Sequence, residues 1–174
     1  VRDRLRSVFR LQRHRSQLTE SYWKTALDES LNGSIRFRAL CALATFDGKH
    51  KNWQLPNLMH FTARYLVNVR PSELSVWRDA LWPVFQSLTA PLSNIYRNSE
   101  QDKQERFFAT TVLSHYLSQD AEALFDLMAD ANNKLFPILY EQINFHRADA
   151  ISFAHAEISQ TIELDATESE KERI

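Results

Sequence analysis

Two stretches stand 70 positions apart: Arg36-Phe37-Arg38-Ala39-Leu40-Cys41-Ala42-Leu43-Ala44-Thr45-Phe46 and Arg106-Phe107-Phe108-Ala109-Thr110-Thr111-Val112-Leu113-Ser114-His115-Tyr116. They share the pattern Arg-Phe-x-Ala-x-x-x-Leu-x-x-aromatic. Helical spacing puts the Phe, the Leu and the last aromatic in one buried stripe, and the small Ala lets a second helix approach closely. Further on, the 3,4 spacing of Leu74, Trp77 and Leu81 returns at Phe136, Leu139 and Ile143, now offset by 62. A longer loop after the first copy's leading helix would produce that change of offset. A His-Arg pair recurs as well, at His14-Arg15 and His146-Arg147. Repetition in constant order signals an array, because a two-helix layer buries its apolar face only by stacking on the next layer. The expected fold is all-α, a right-handed α-α superhelix (solenoid) of about ten helices. It forms one helical repeat domain over 1–174, with units of about 34–98 and 103–162.

Periodicity along the rest of the chain is helical too. An amphipathic segment over 2–12 sets Leu5, Val8 and Phe9 against a stripe of Arg2, Arg6, Arg10 and Arg13. The second helix, 16–30, carries Leu18, Tyr22, Trp23 and Leu27. Asn32-Gly33-Ser34 separates it from an apolar helix over 35–46, with Ser34 read as the N-cap. Pro56 suits the first turn of a helix to about Val69. Ser72 is expected to cap the next, which Pro83 limits, and Pro91 is placed early in a helix over 90–98. Further helices are read at 102–117, 120–131, 134–146 and 148–162. A capping box, Thr167-Glu168-Ser169-Glu170, opens the last.

Composition narrows the chemistry. The chain holds 2 Gly in 174 residues, so no phosphate-cradling Gly-rich loop and no nucleophile elbow can be written. One cysteine, Cys41, excludes an internal disulfide and any two-Cys metal site, and its apolar neighbours mark it as a buried, inert thiol. No apolar run approaches the roughly 18–20 residues of a membrane span. No signal-peptide pattern opens the chain. These features suit a cytoplasmic protein. A start at Val1 and an end at Ile174, inside a charged helix-favouring run, read as a fragment of a longer chain. The net charge of −1 hides a split: residues 1–99 carry 15 Lys/Arg and 7 Asp/Glu, a balance of +8, and residues 100–174 carry 6 and 15, a balance of −9.

Few residues stand out as chemistry. The histidines His14, His50, His60, His115, His146 and His155 include no i,i+4 pair and no His-Glu-x-x-His, so no metal is assigned. Ser114 and His115 are adjacent, and adjacent helix residues do not face each other. Asp126 and Asp130, one turn apart, read as a solvated acidic face. No catalytic or cofactor-binding residue is assigned. The best interaction candidates are Arg2, Arg6, Arg10 and Arg13, whose guanidinium groups suit an acidic protein surface better than nucleic acid. Trp53 joins them, as the tryptophan of a polar loop and hence the one expected at the surface. Trp23, Trp77 and Trp82 are read as core.

The repeat also resembles a family. Arg36 to Leu43, with Pro91-Leu92, Ile95-Tyr96-Arg97, Glu105-Arg106, Ala109-Thr110, Leu124 to Asn132, Phe136, Leu139 and Asp165-Ala166-Thr167 with Glu170 to Arg173, is similar to the HEAT-like helical region of large bacterial proteins. Those proteins carry serine/threonine protein kinase domains, formylglycine-generating-enzyme-like (sulfatase-modifying-factor) domains, or both. The resemblance runs over nearly the whole chain from about residue 8. It implies a HEAT/armadillo-like spacer or docking region rather than either catalytic domain. The Gly-rich loop, His-Arg-Asp and Asp-Phe-Gly of a kinase are missing, so no kinase residue carries over. Extra residues near Arg10 to Arg13 and the Gly48–Trp53 loop depart from the family pattern.

The expected function is a non-catalytic scaffold for protein–protein or interdomain interaction within a bacterial kinase-type signalling protein. Its partners would be neighbouring domains of the parent chain or an acidic protein surface. One alternative is a regulatory module that docks on its own kinase domain. Another, of a different class, is a hydrolase with a composite histidine–carboxylate site.

Overall fold

A computed structural model describes residues 16–149, 151–155 and 159. Every regular element among them is helical. Residues 16–27 form α1. They are followed by α2 (Gly33–Asp47), α3 (Pro56–Leu66), α4 (Leu74–Ala80) and α5 (Phe85–Arg97). Then come α6 (Lys103–Tyr116), α7 (Ala121–Ala129) and α8 (Phe136–Ile143). Short 3-10 turns at Lys51–Gln54, Pro71–Glu73, Trp82–Val84 and Asn144–His146 join or extend them, and residues 147–149 and 151–155 are helical again. The expected helices over 2–12 and from Thr167 lie outside the described residues. Contacts divide the chain into two compact units, one ending at Ala109 and the other beginning at Thr110, so the division falls inside α6.

In the first unit α3 packs along α5, and α2 meets α3 and α4. The core is built from Phe37, Leu40 and Leu43 of α2, Leu58, Ala63 and Leu66 of α3, and Leu88, Leu92 and Ile95 of α5. Phe37 stacks on Tyr65 at 4.5 Å and meets the edge of Trp77 at 5.5 Å. The hydroxyl of buried Thr62 donates to the Leu58 carbonyl at 2.7 Å, so its burial leaves no orphaned polar atom. Cys41 lies in the same core, and burial pushes its thiol up to about 12. Neutral at ordinary pH, it is the inert thiol expected. In the second unit α7 packs on α8 around Leu124, Leu127, Leu139 and Ile143, and Phe125 meets Phe153 at 6.2 Å. The ring of His146 donates through Nε2 to the Ser118 carbonyl at 2.7 Å, tying the end of α8 to the loop before α7.

One turn occurs twice. Asp28 and Asn98 each accept from the backbone N–H two residues on, both at 3.0 Å. Asn32 and Asp102 then accept the N–H of Ser34 (2.8 Å) and Gln104 (2.7 Å), as caps of α2 and α6. Arg36 and Arg106 reach back ten residues, donating through Nε to the carbonyls of Ala26 (3.1 Å) and Tyr96 (2.9 Å). Those carbonyls belong to the last turns of α1 and α5, where a helix has no acceptor-satisfying donors of its own. Backbone bonds follow the same spacing, Leu31 to Asp28 and Gln101 to Asn98, both at 3.2 Å. Asx at the first and fifth positions and Arg at the ninth therefore encode the turn and the entry angle of the next helix. Beyond it, α4 and the 3-10 turn Trp82–Val84 recur as α8 and the turn Asn144–His146, 62 positions on. The drop from 70 to 62 arises half in the loop between leading helix and second helix, eight residues in the first copy and four in the second.

Local boundaries differ from expectation in three places. The cap of α2 is Asn32, not Ser34, because Asn32 stands directly before the first helical residue and its Oδ1 accepts the Ser34 N–H, which leaves Ser34 inside the first turn. Ser72 caps nothing: Pro71–Glu73 winds as a 3-10 turn and α4 opens at Leu74 without a side-chain cap. Helix α5 begins at Phe85 and carries Pro91 in its interior. An internal proline costs about 3 kcal/mol. Burying Leu88, Leu92 and Ile95 along one stripe, at roughly 1.5–3 kcal/mol each, outweighs it. The buried stripe of the repeat is also narrower than expected. Leu43 and Leu113 are fully buried and Ala39 and Ala109 nearly so, yet Phe107 and Phe46 are exposed where Phe37 and Tyr116 are buried.

Candidate functional site

The largest departure from the sequence reading is Trp53. It is 2% exposed, its Nε1 donates to the Asp47 carbonyl at 3.0 Å, and its ring stands edge-on to Trp23 at 5.4 Å. The expected contact anchor is thus a core residue. Polar neighbours suggested exposure, but the 3-10 turn Lys51–Gln54 folds the indole inward while Lys51 and Gln54 stay at the surface. Trp23 closes the same cluster, donating to the Asp47 carboxylate at 2.8 Å and facing His50 at 4.6 Å. His50 Nδ1 accepts the Asn52 N–H at 3.1 Å and so caps that turn. The exposed tryptophan is Trp82, at 41%, stacked on Phe85 at 5.1 Å, although its sequence reading was core. In the 3-10 turn Trp82–Val84, Val84 is the buried residue and the indole of Trp82 stays at the surface.

Arg2, Arg6, Arg10 and Arg13 lie outside the described residues, as does His14. The other histidines are dispersed over separate elements: His50 in the loop, His60 exposed on α3, His115 half-buried on α6, His146 bonded to Ser118, and His155 exposed. Among the described residues no group of three His, Cys, Asp or Glu side chains could hold a metal ion. Asp126 and Asp130 are exposed at the end of α7. Among the described residues no helix is long and apolar enough to cross a membrane.

What converges instead is a cleft of about 580 Å³ between the start of α3 and the middle of α5. Its polar lining is Gln54, Asn57 and His60 on one side and Ser87 and Asn94 on the other; Pro56, Met59, Ala90 and Pro91 are its apolar walls. Asn57 and His60 sit three apart on α3, and Ser87 and Asn94 seven apart on α5, so each pair presents on one helix face. No Asp, Glu, Lys or Arg lines it. Two backbone features add to it. The α3 N-terminus has Pro56 at its first position and no side-chain cap, which leaves the Asn57 and Leu58 N–H groups without a side-chain acceptor. Pro91 has no N–H, so the Ser87 carbonyl lacks its helical donor four residues on. The sequence reading passed over Asn57, Ser87 and Asn94. The available signal was Pro91 inside the stripe Leu88, Leu92, Ile95, which marks an exposed, bond-deficient helix face.

A second depression, about 690 Å³, lies over Trp23, Asp47 and His50 between α1 and the end of α2, and it mixes Glu20 and Lys51 charges into its rim. Trp23, Asp47 and His50 at its floor already serve the fold through the bonds described above. No family model, no curated protein and no solved structure matches the chain.

Proposed function

We propose that the chain is a non-catalytic helical-repeat scaffold, a HEAT/armadillo-like α-α superhelix that holds partner proteins or neighbouring domains in place. The observation that supports this reading is the hydrogen-bonded turn repeated at a spacing of 70, with the same Arg staple to the preceding helix in both copies. A turn that fixes the angle between one layer and the next, used twice, is what an array needs to propagate. The resemblance to HEAT-like regions supports the reading of a spacer or docking region within a bacterial kinase-type signalling protein of the cytoplasm, with an acidic surface as one partner of the Arg2, Arg6, Arg10 and Arg13 stripe.

Small-angle scattering tests the architecture. A compact domain of this length has a radius of gyration of about 16 Å; a superhelix gives a clearly larger value, and a compact one removes the reading. For docking, binding of the parent protein's other domains is compared between wild type and a variant with all four stripe arginines changed to Glu. Loss of binding that is also weakened by salt supports the stripe, and unchanged binding removes it.

A further inference from the structure

We propose that His50 is a pH-sensitive clasp: its neutral ring caps the Trp53 turn and holds α1 against the end of α2, and protonation loosens that seam. This role goes beyond the scaffold reading and does not depend on it. It follows from the direction of one hydrogen bond. The Asn52 backbone N–H points at His50 Nδ1, 3.1 Å away, as the side-chain cap of the 3-10 turn Lys51–Gln54. A backbone N–H can only donate, so Nδ1 must offer its lone pair and the ring must be neutral. A second ring proton goes to that nitrogen and leaves two N–H groups facing each other. His146 is the contrast, because its Nε2 donates to the Ser118 carbonyl and the charged ring keeps that bond.

The capped turn holds more than itself. Trp53, within it, is almost fully buried and donates through Nε1 to the Asp47 carbonyl at 3.0 Å. Trp23 of α1 is buried too. It meets the His50 ring at 4.6 Å and the Trp53 ring at 5.4 Å, and it donates to the Asp47 carboxylate at 2.8 Å. Within this compact unit, the seam between α1 and the end of α2 therefore runs through the turn that His50 caps.

The charged groups around the ring do not restore the cap. Glu20 of α1 and Asp47 of α2 are the carboxylates that line the same depression, Lys51 is its cation, and Lys49 precedes His50 in the chain. Glu20 is paired with Lys24 at 3.1 Å. Asp47 attracts an imidazolium, but its carboxylate already accepts the Trp23 indole N–H, so His50 gains that partner only in competition with Trp23. Attraction to the Trp23 ring face gives Asn52 no acceptor either. The proton thus weakens the cap, the Trp23 bond, or both. Imidazole is the side chain that changes charge between roughly pH 5 and 8, so the seam responds within that window.

The test uses the full, isotope-labelled chain at pH 8 and pH 5. NMR reads the scalar coupling across the Asn52 N–H···Nδ1 bond and the exchange of the Trp23 and Trp53 indole protons with deuterated water. Exchange rates are corrected for their intrinsic pH dependence. In wild type the coupling is expected to vanish as the His50 ring protonates, and indole protection to fall about fivefold, the loss of an ordinary cap. His50→Asn keeps a capping acceptor that does not titrate, so its protection should be equal at both pH values. His50→Ala has no acceptor and should show the lower protection at both; if it does not fold, the Asn variant and the wild-type titration decide. Protection that stays constant while the His50 ring protonates overturns the proposal. So does a ring that is still neutral at pH 5, a pH-dependent loss that persists in His50→Asn, or wild-type protection in His50→Ala.

Discussion

The turn at 28–36 and the turn at 98–106 make the same hydrogen bonds from different chemistry. The first opens on Asp28, whose carboxyl is held below its ordinary value by the Ser30 hydroxyl and N–H and by nearby Arg36; the second opens on neutral Asn98. Arg36 lies over the Phe61 ring at 4.3 Å besides reaching Ala26, so it bridges α1, α2 and α3. In the second turn Arg106 reaches Tyr96 of α5. Geometry is shared because it depends on Asx and Arg at fixed spacing, whereas energy depends on what the neighbouring helices bring. The loops that follow differ more. The first copy winds a 3-10 turn around Trp53; the second closes directly onto Asp120, which caps α7 by accepting the Ala123 N–H at 3.0 Å.

Breaking that loop has the largest expected effect. Trp53→Ala removes a buried indole and should cost about 3–5 kcal/mol, read as a lower urea midpoint. A loss under about 1 kcal/mol would mean that the first loop does not depend on the core. Gly48→Ala comes next. A Cβ there would stand 2.8 Å from the Ala44 carbonyl oxygen and 3.5 Å from Pro83. Relief requires backbone movement, so about 1–3 kcal/mol is expected in the same assay. A substitution tolerated without loss would show that the α2 end is free to shift.

The two staples can be compared directly. Removing either arginine leaves a helix-end carbonyl without its donor, about 1–2 kcal/mol. Arg36→Ala should lose a further ~0.5–1 kcal/mol with the Phe61 contact. A double-mutant cycle with Phe61→Leu isolates that contribution, and a coupling of zero would remove it. The smallest effect separates Asp28 from Asn98. The Asp28 carboxylate contributes above the unfolded-state value near 3.8, and its contribution is lost as pH falls through the lower folded value. An NMR titration should place its midpoint below 3.8, and Asp28→Asn should remove this acid-sensitive contribution from the opening position of the first turn.

The positions of α2, α3, α6 and α7 were legible because apolar periodicity and Pro56 at a first turn act between residues close in the chain. Start of α5 was not, since Pro91 reads locally as a boundary and only the burial of Leu88 and Leu92 overrides it. The recurring turn was present in the sequence as Asp28, Asn32, Arg36 and Asn98, Asp102, Arg106; it stays hidden when attention goes to apolar matches alone. The cleft was less legible still, because Asn57 and Asn94 are ordinary surface residues until α3 and α5 are laid side by side.

Sequence alone determined that the described residues are helical, that the pattern recurs at spacings of 70 and then 62, and that Gly-rich phosphate loops and an internal disulfide are excluded. These follow from composition and from interactions between residues close in the chain. Only the tertiary structure decided that Trp53 is core and Trp82 is exposed, that Phe37 is buried where Phe107 is not, and that five polar side chains line one cleft. Burial depends on which distant helix covers a side chain, and a residue's own neighbours in sequence carry no record of that helix.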